Sequence, residues 1–325
     1  MIGFQYISAK EDKIVFSTLK GADTKLIAGG SNLVDLMKKG IENPQRLIDI
    51  NRLEYRDISI KKNILHIGAL ALNSTVCEDE LVLMHHPLLA KALKAGASQQ
   101  IRNVATVGGN MMQRTRCSYF YNPDMACNKR ELGAGCSAKE GFNRMHAIFG
   151  TSENCIAVHP SDMCVALAAL DATVLIKNVR GNRRIPFSEF HRLPEERPDI
   201  DTNLRDGEMI IGIEIPMNNF QKHHYYLKHR DRASYAFAVV SVAVGLEIDN
   251  GVIKDARIAM GGVAHKPWRL LESEDFLKGK DATLENFQQA ATLAMKGATS
   301  FGHNDFKLLL TPKAIVEALK SAALT

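Results

Sequence analysis

Four of the six cysteines in this 325-residue chain fall within one short segment. They are Cys117, Cys127, Cys136 and Cys155. Four thiolates are the ligand set of an iron–sulfur cube and also of a structural zinc ion. The spacing matches no compact pair motif, so unrelated cysteines or a disulfide pair stay open as well. His146 and His159 likewise leave a mixed cysteine–histidine zinc site open.

The segment from 113 to 155 shows little apolar periodicity. A stretch of this kind has few means of building its own core, so we expect a bound metal to supply its order. Basic residues surround the cysteines and are expected to offset thiolate charge; they are Arg114, Arg116, Lys129, Arg130 and Arg144. Cys77 and Cys164 stand in apolar helical contexts, which predicts two small core residues.

A glycine turn, AGGSN, occupies residues 28 to 32 after the predicted strand KLIA. Glycine lets a backbone approach a ligand closely, and free amides at a following helix are a suitable seat for a diphosphate. Ser31 or Asn32 is expected to cap that helix. The same pattern is typical of an ordinary strand–turn–helix unit. It is not the GxGxxG motif of nicotinamide-binding folds.

A second glycine turn, ATVGGN, occupies residues 105 to 110. Its amides, with the side chains of Thr106 and Asn110, are suited to a phosphate or a flavin ring. Taken alone it too is typical of an ordinary turn. Two such turns in one domain favour a nucleotide cofactor more than either does separately.

Asp162 opens a predicted helix within the sequence HPSD, where it is expected either to cap the helix or to bind a ligand hydroxyl. The basic stretch KHRDRASYA, residues 228 to 236, suits an anionic cofactor but is also typical of a solvated strand edge. No serine–histidine–aspartate set and no pair of carboxylates suggests hydrolytic chemistry.

The elements that position these residues are helices and strands in irregular order, which indicates an α+β fold rather than a doubly wound sheet. Helices are predicted at 85–97, 161–170, 284–298 and 311–323, the last with Thr311 as its cap and Pro312 at its first position. RDISI and ILHIG predict a hairpin. From residue 225 an antiparallel meander with an Asn250-Gly251 turn is expected.

The composition is that of a globular chain, with 46% hydrophobic and 24% charged residues and a net charge of +5. It excludes a disordered tail and a coiled coil, and the modest charge indicates neither a nucleic-acid nor a membrane partner. We expect no signal peptide and no membrane span. We expect a cytoplasmic location, or a periplasmic one reached with a partner that carries a twin-arginine signal.

With these residues assembled, the chain resembles the FAD-binding medium subunits of the molybdenum hydroxylase (xanthine dehydrogenase) family. The matching pieces are KLIAGGSNLVDLMKKG, IGALALNSTV, RNVATVGGN, SDMCVALAALDA, EMIIGIEIP and GGVAHKPWR. The cysteine segment is similar to an insert found in the flavin subunits of periplasmic aldehyde oxidoreductases. The resemblance implies a two-part FAD-binding domain of the PCMH/VAO type over residues 1–218, divided at about 55, with an iron–sulfur insert at about 113–156. A smaller α+β domain over 219–325 would follow.

The resemblance also implies roles for individual residues. The FAD diphosphate would be wrapped by Lys25, Leu26, Ile27, Ala28, Gly29, Gly30, Ser31, Asn32 and Leu33. The second loop would contribute Thr106, Gly109 and Asn110, and the flavin would also contact Asp162, Ile210 and Lys228. The four clustered cysteines would ligate a [4Fe-4S] cluster. The carboxy-terminal sequence SFGHNDFKLLL departs from the tyrosine–arginine pattern of relatives, which bears on subunit contacts.

The resulting hypothesis is one subunit of a heterotrimer. A molybdopterin subunit would oxidise an aldehyde, a small subunit would carry [2Fe-2S] clusters, and this chain would accept electrons on FAD. Two alternatives stay open at this point. One is a stand-alone FAD-dependent reductase with a nicotinamide donor, and the other is a zinc-stapled interaction protein without catalytic activity.

Overall fold

The computed structural model describes residues 1–19, 21 and 23–324. The strands are β1 (Gln5–Ser8), β2 (Thr24–Ile27), β3 (Arg46–Asp49), β4 (Ile58–Lys61), β5 (Ile64–Gly68), β6 (Thr173–Asn178), β7 (Gly181–Pro186), β8 (Met209–Pro216), β9 (His223–His229), β10 (Val240–Asp249), β11 (Val252–Gly261) and β12 (Trp268–Arg269). The helices are α1 (Asp12–Thr18), α2 (Leu33–Lys38), α3 (Asn73–Glu78), α4 (Glu80–His85), α5 (Pro87–Ala95), α6 (Gln99–Arg102), α7 (Val107–Met111), α8 (Ser118–Tyr121), α9 (Ser137–Glu140), α10 (Asp162–Ala169), α11 (Phe187–Phe190), α12 (Leu271–Leu277), α13 (Leu284–Ala294) and α14 (Phe306–Leu324).

The amino-terminal part is a small parallel sheet with strand order β1-β3-β2. Parallel neighbours need crossover connections, which α1 and α2 provide. The apolar core of this part includes Val15, Phe16 and Ile48, all buried. The arrangement places the glycine turn at the carboxyl end of β2.

A five-stranded antiparallel sheet with order β4-β5-β8-β6-β7 follows. Its apolar face packs under α5 and α10, whose alanine and leucine side chains are almost entirely buried. Alanine-rich α10 is buried on all sides, so it is the central helix of the main core. It also carries Asp162 at its first position.

The carboxy-terminal part is a four-stranded antiparallel sheet with order β12-β11-β10-β9. Helices α12, α13 and α14 contribute buried residues to its core. Asn250 and Gly251 both have positive φ angles, 49° and 82°, as a type I′ hairpin turn requires. The three separate sheets and the helices confirm the α+β prediction.

Several local expectations were wrong. The helix expected over 85–97 is interrupted at His86, and a separate helix, α4, precedes it. Helix α14 does not begin at Pro312 but at Phe306, and Thr311 is buried inside it rather than capping it. Proline costs a helix one backbone hydrogen bond. The burial of α14 against the carboxy-terminal sheet offsets this cost. Within the described residues, no helix combines the length and apolarity that a membrane span requires.

Candidate functional site: the glycine-lined cleft and the cysteine segment

The first glycine turn makes close contact with the backbone of the second. A β-carbon on Gly29 would lie 1.8 Å from the carbonyl oxygen of Val104 and 3.2 Å from the α-carbon of Ala105. Gly30 has a φ of +69°, which side chains other than glycine rarely adopt. Both glycines are therefore required by geometry. Residues 28–32 thus form a narrow strip of backbone between β2 and α2, the backbone shelf.

The cap expected from Ser31 or Asn32 is not formed by a side chain. Asn32 is the first flanking residue of α2, but its side chain makes no capping hydrogen bond. Instead its Oδ1 accepts from the backbone amide of Arg114 at 2.9 Å, and its Nδ2 donates to the hydroxyl of Tyr121 at 3.3 Å. Asn32 thus fastens the glycine turn to the cysteine segment.

The second glycine stretch is the first turn of a helix rather than an open loop. Thr106 caps α7, and its hydroxyl accepts from the amide of Gly109 at 3.2 Å. The side-chain oxygen of Asn110 accepts from Ser161 at 2.6 Å. Thr106 and Asn110 thus each have a hydrogen-bond partner within the protein.

Asp162 does not cap α10, because Ser161 does so by accepting from the amide of Cys164. The two carboxylate oxygens of Asp162 accept instead from the hydroxyl of Tyr226 at 2.7 Å and from the Nζ of Lys228 at 2.8 Å. Both charged side chains are almost fully buried, at 6% and 4% exposure. A buried ion pair of this kind is held firmly, since either charge alone would be costly.

These residues surround one cleft of about 1110 Å³. Every residue of the predicted flavin set lies on its wall, namely Lys25, Leu26, Ile27, Ala28, Gly29, Gly30, Ser31, Asn32, Leu33, Thr106, Gly109, Asn110, Asp162, Ile210 and Lys228. The volume lies slightly above the roughly 300–1,000 Å³ of small-molecule sites. A long dinucleotide suits such a cleft. The backbone shelf at Gly29 also fits an anionic group that must approach amides closely.

Sequence reasoning missed part of the wall. Arg102, Tyr235 and Phe237 also line the cleft. Tyr235 and Phe237 are substantially exposed, at 57% and 43%. The basic stretch at 228–236 was the available signal, since it lies beside the cleft.

The cysteine segment packs onto the rest of the protein more extensively than its sequence predicts. Phe120, Ile148 and Phe149 are buried, the last two within the carboxy-terminal core. The ammonium of Lys129 is buried, pairs with the partly exposed Asp201 and lies 2.8 Å from the Nε2 of His265. The expectation that a metal must supply all the order of this segment is therefore wrong, because long-range packing supplies much of it.

The basic neighbours of the cysteines pair with other groups. Arg114 forms ion pairs with Glu42 at 2.9 Å and with Asp201 at 2.8 Å. Arg130 donates to main-chain carbonyls, and Arg144 bonds to Asp231. These three residues thus have direct partners other than the cysteines. Burial alone would raise the pKa of Asp201, but the charges of Lys129 and Arg114 hold it well below its usual range.

All four clustered cysteines are free thiols. Cys127 and Cys136 face each other as an isolated antiparallel bridge. Burial raises the pKa of Cys117 to about 11, while backbone amides at Phe120 and Tyr119 act in the opposite direction. Burial likewise raises the pKa of Cys155 to about 12. Charge on Cys127 and Cys136 acts on the Cys117 thiol, and charge on Cys136 and Cys117 acts on the Cys155 thiol, so the four cysteines lie in one region.

The tightest group of ligand-type atoms in the described residues lies elsewhere. His159, Cys164 and His191 bring one atom each within 4.8 Å of the others. Burial lowers the pKa of His191 to about 4 and that of His159 well below its usual range. Cys164 is fully buried, as expected for a core residue, and so is Cys77. The four clustered cysteines do not form so tight a group.

Comparison with known proteins identifies the family to which this chain belongs. Residues 3–218 match the model for the FAD binding domain in molybdopterin dehydrogenase. Residues 225–322 match the carbon monoxide dehydrogenase flavoprotein C-terminal domain. The chain is 46% identical over 301 residues to the aldehyde oxidoreductase FAD-binding subunit PaoB of Escherichia coli (strain K12), covering 92% of this chain and 91% of the relative. It is 28% identical to the glyceraldehyde dehydrogenase medium chain of Sulfolobus acidocaldarius, covering 85% and 82%.

A solved structure shows the same architecture. The chain superposes on one from the carbon monoxide dehydrogenase of Hydrogenophaga pseudoflava with a TM-score of 0.78 and 26% identity, covering 100% of this chain and 99% of that one. The glycine-lined cleft, the three-sheet fold and the matches over both parts of the chain agree with one another. The chain belongs to the FAD-binding medium subunits of the molybdenum hydroxylase family.

Proposed function

We propose that this chain is the electron-carrying flavin subunit of a molybdenum-containing aldehyde oxidoreductase. In this proposal it takes electrons from the [2Fe-2S] clusters of a partner subunit and delivers them through FAD to an external acceptor. The observation that carries the proposal is the 46% identity to an aldehyde oxidoreductase FAD-binding subunit over almost the whole of both chains. When bound, FAD supplies the ability to exchange one or two electrons.

The chain's own residues then have holding and orienting roles. Backbone amides at Gly29 and Gly30, which both line the cleft, would receive the diphosphate. The buried pair of Asp162 and Lys228 would fix the polar edge of the flavin. Ile210, itself nearly buried in β8, would support the ring. No residue has to move a proton from a substrate, which agrees with the lack of hydrolytic motifs in the sequence.

We further propose that Cys117, Cys127, Cys136 and Cys155 hold a [4Fe-4S] cluster beside the flavin. Four free thiols in one neighbourhood are the donor set that such a cluster needs. The four thiolates around a [4Fe-4S] cluster lie farther apart than those around a single zinc ion. A wider spacing of the four cysteines therefore suits a cluster better than zinc. Backbone amides already point at two of these sulfurs, as in the contact of Ala157 with the Sγ of Cys155 at 3.4 Å.

The partners follow from the same proposal. A molybdopterin subunit and a [2Fe-2S] subunit would complete a heterotrimer, in the cytoplasm or, after export with a twin-arginine partner, in the periplasm. We propose domain limits of 1–218 and 219–325, with a division near 55 and the insert at 113–156. The gap between the two family matches, at residues 219–224, supports the main boundary.

Cofactor analysis of the anaerobically purified chain tests the proposal. We expect one FAD that acid denaturation releases, together with about four iron and four sulfide per chain. Cys127→Ser should lose the iron while keeping FAD, and the control variants Cys77→Ser and Cys164→Ser should keep both. Stoichiometric zinc without labile sulfide would refute the cluster. An active monomer that uses a nicotinamide donor would instead support the stand-alone reductase.

A further inference from the structure

A buried histidine contacts one of the proposed cluster ligands. The Nε2 of His146 lies 3.1 Å from the Sγ of Cys117. His146 is only 4% exposed, so water does not compete for this contact. Its ring is tilted against that of Tyr119, with 6.3 Å between ring centroids. Nothing in the FAD chemistry of the cleft requires a histidine at this position.

The carboxy-terminal helix holds His146 in place through the backbone. The Nζ of Lys307, which is fully buried in α14, donates to the carbonyl oxygen of His146 at 2.8 Å and to that of Gly262 at 2.7 Å. Asn304 donates to the carbonyl oxygen of Ala147 at 3.0 Å. Buried hydrogen bonds therefore fix the main chain at His146 and Ala147, which sets the position from which the ring reaches the sulfur.

The direction of the hydrogen bond follows from the chemistry of the sulfur. A thiolate bound to iron has no proton and can only accept, so the Nε2 of His146 must carry the hydrogen. The Nδ1 has no hydrogen-bond partner among the described residues. A neutral ring with its proton on Nε2 satisfies both observations. Hydrogen bonds to cluster sulfurs are among the features that set reduction potentials.

We propose that His146 is a positioning residue that donates a hydrogen bond to the Cys117 thiolate and thereby raises the reduction potential of the cluster. The inference rests on the proposed function, because it requires the cluster to be present. Reduction adds electron density to the sulfurs, so a donor stabilises the reduced form more than the oxidised one. Removing the donor must then lower the potential without removing a ligand.

Redox titration of the purified full chain, followed by electron paramagnetic resonance, tests this inference. We expect His146→Leu to keep four iron and to shift the cluster's reduction equilibrium about tenfold towards the oxidised form, equivalent to about 59 mV for one electron. His146→Gln keeps an N–H donor and should recover part of the shift. His303→Leu is the matched control, because His303 lies exposed against Phe142. The flavin potential serves as an internal reference.

The outcomes distinguish a failure of the proposed cluster from a failure of the proposed role of His146. Wild-type protein without iron and sulfide would overturn the proposed cluster itself. An intact cluster with an unchanged potential in His146→Leu would overturn the role of His146. Loss of iron from both His146 variants in folded protein would also overturn it, because His146 would then be a ligand rather than a donor to one.

Discussion

The contact at Gly29 gives the sharpest prediction for flavin binding. Real β-carbons keep at least about 3.0 Å from other heavy atoms, whereas one added to Gly29 would stand 1.8 Å from the Val104 carbonyl oxygen. The two glycine stretches must therefore move apart by about 1.2 Å (3.0 − 1.8) in Gly29→Ala. The obstacle is backbone, so no side-chain rotation relieves it. Overpacking of this kind costs about 1–3 kcal/mol.

Because the displaced backbone is also the proposed seat of the diphosphate, we expect most of this cost to appear in cofactor affinity. At about 1.4 kcal/mol per decade, FAD binding should weaken roughly ten- to hundredfold. The assay is titration of the flavin-depleted chain with FAD, followed by quenching of flavin fluorescence. Circular dichroism should show a folded protein, since the cores of the two antiparallel sheets lie elsewhere.

Gly3→Ala is the matched control, because no heavy atom lies within 4 Å of the added β-carbon and its backbone is not left-handed. Its FAD affinity should equal that of the wild type. A folded Gly29→Ala protein with wild-type affinity would refute the assignment of this turn to the cofactor. Gly29 would then be required only for the packing of the two glycine stretches against each other.

Two further predictions concern buried charges. Asp162→Asn leaves the ammonium of Lys228 buried without its anion, so unfolding in urea should show a loss of about 3–5 kcal/mol. Glu153→Gln removes an exposed ion pair and should change the stability little. Equal losses in the two variants would contradict this. Burial lowers the pKa of Lys307 to about 7, with the charge of Arg144 acting in the same direction, against 10.5 ordinarily. The unfolded chain therefore binds more protons between these values, and stability should rise by up to about 1.4 kcal/mol per pH unit above pH 7. Lys307→Met should flatten this dependence in urea unfolding at several pH values, and an unchanged slope would count against it.

Local patterns predicted those features whose cause is local. The AGGSN turn was recognisable because its backbone conformation requires glycine, and the glycines are visible in the sequence. Asn250-Gly251 identified its hairpin for the same reason. Strand β8 and helix α10 were recognisable from their apolar runs. Both elements line the core that shapes the cleft, so this part of the site followed from periodicity and turn chemistry.

Features created by distant partners were not predictable in this way. Strand β7 is polar and mostly exposed, and only its pairing with β6 defines it. The start of α14 was misplaced because Pro312 is a strong local stop signal that tertiary packing overrides. The partner of Asp162 was missed for a related reason. Lys228 is 66 residues away, and only the folded chain brings the two charges together.

The site combines two regions, the glycine turn with its following helix and the cysteine segment, which hydrogen bonds and ion pairs join. Asn32 belongs to the glycine turn, yet both ends of its amide bind the cysteine segment, at the Arg114 amide and the Tyr121 hydroxyl. The guanidinium of Arg116 bonds to the same hydroxyl. A shift of the turn is thus transmitted directly to the chain that leads into Cys117. Under the proposed function, this coupling would keep the distance between the flavin and the proposed cluster constant, which electron transfer requires more than any single acid or base.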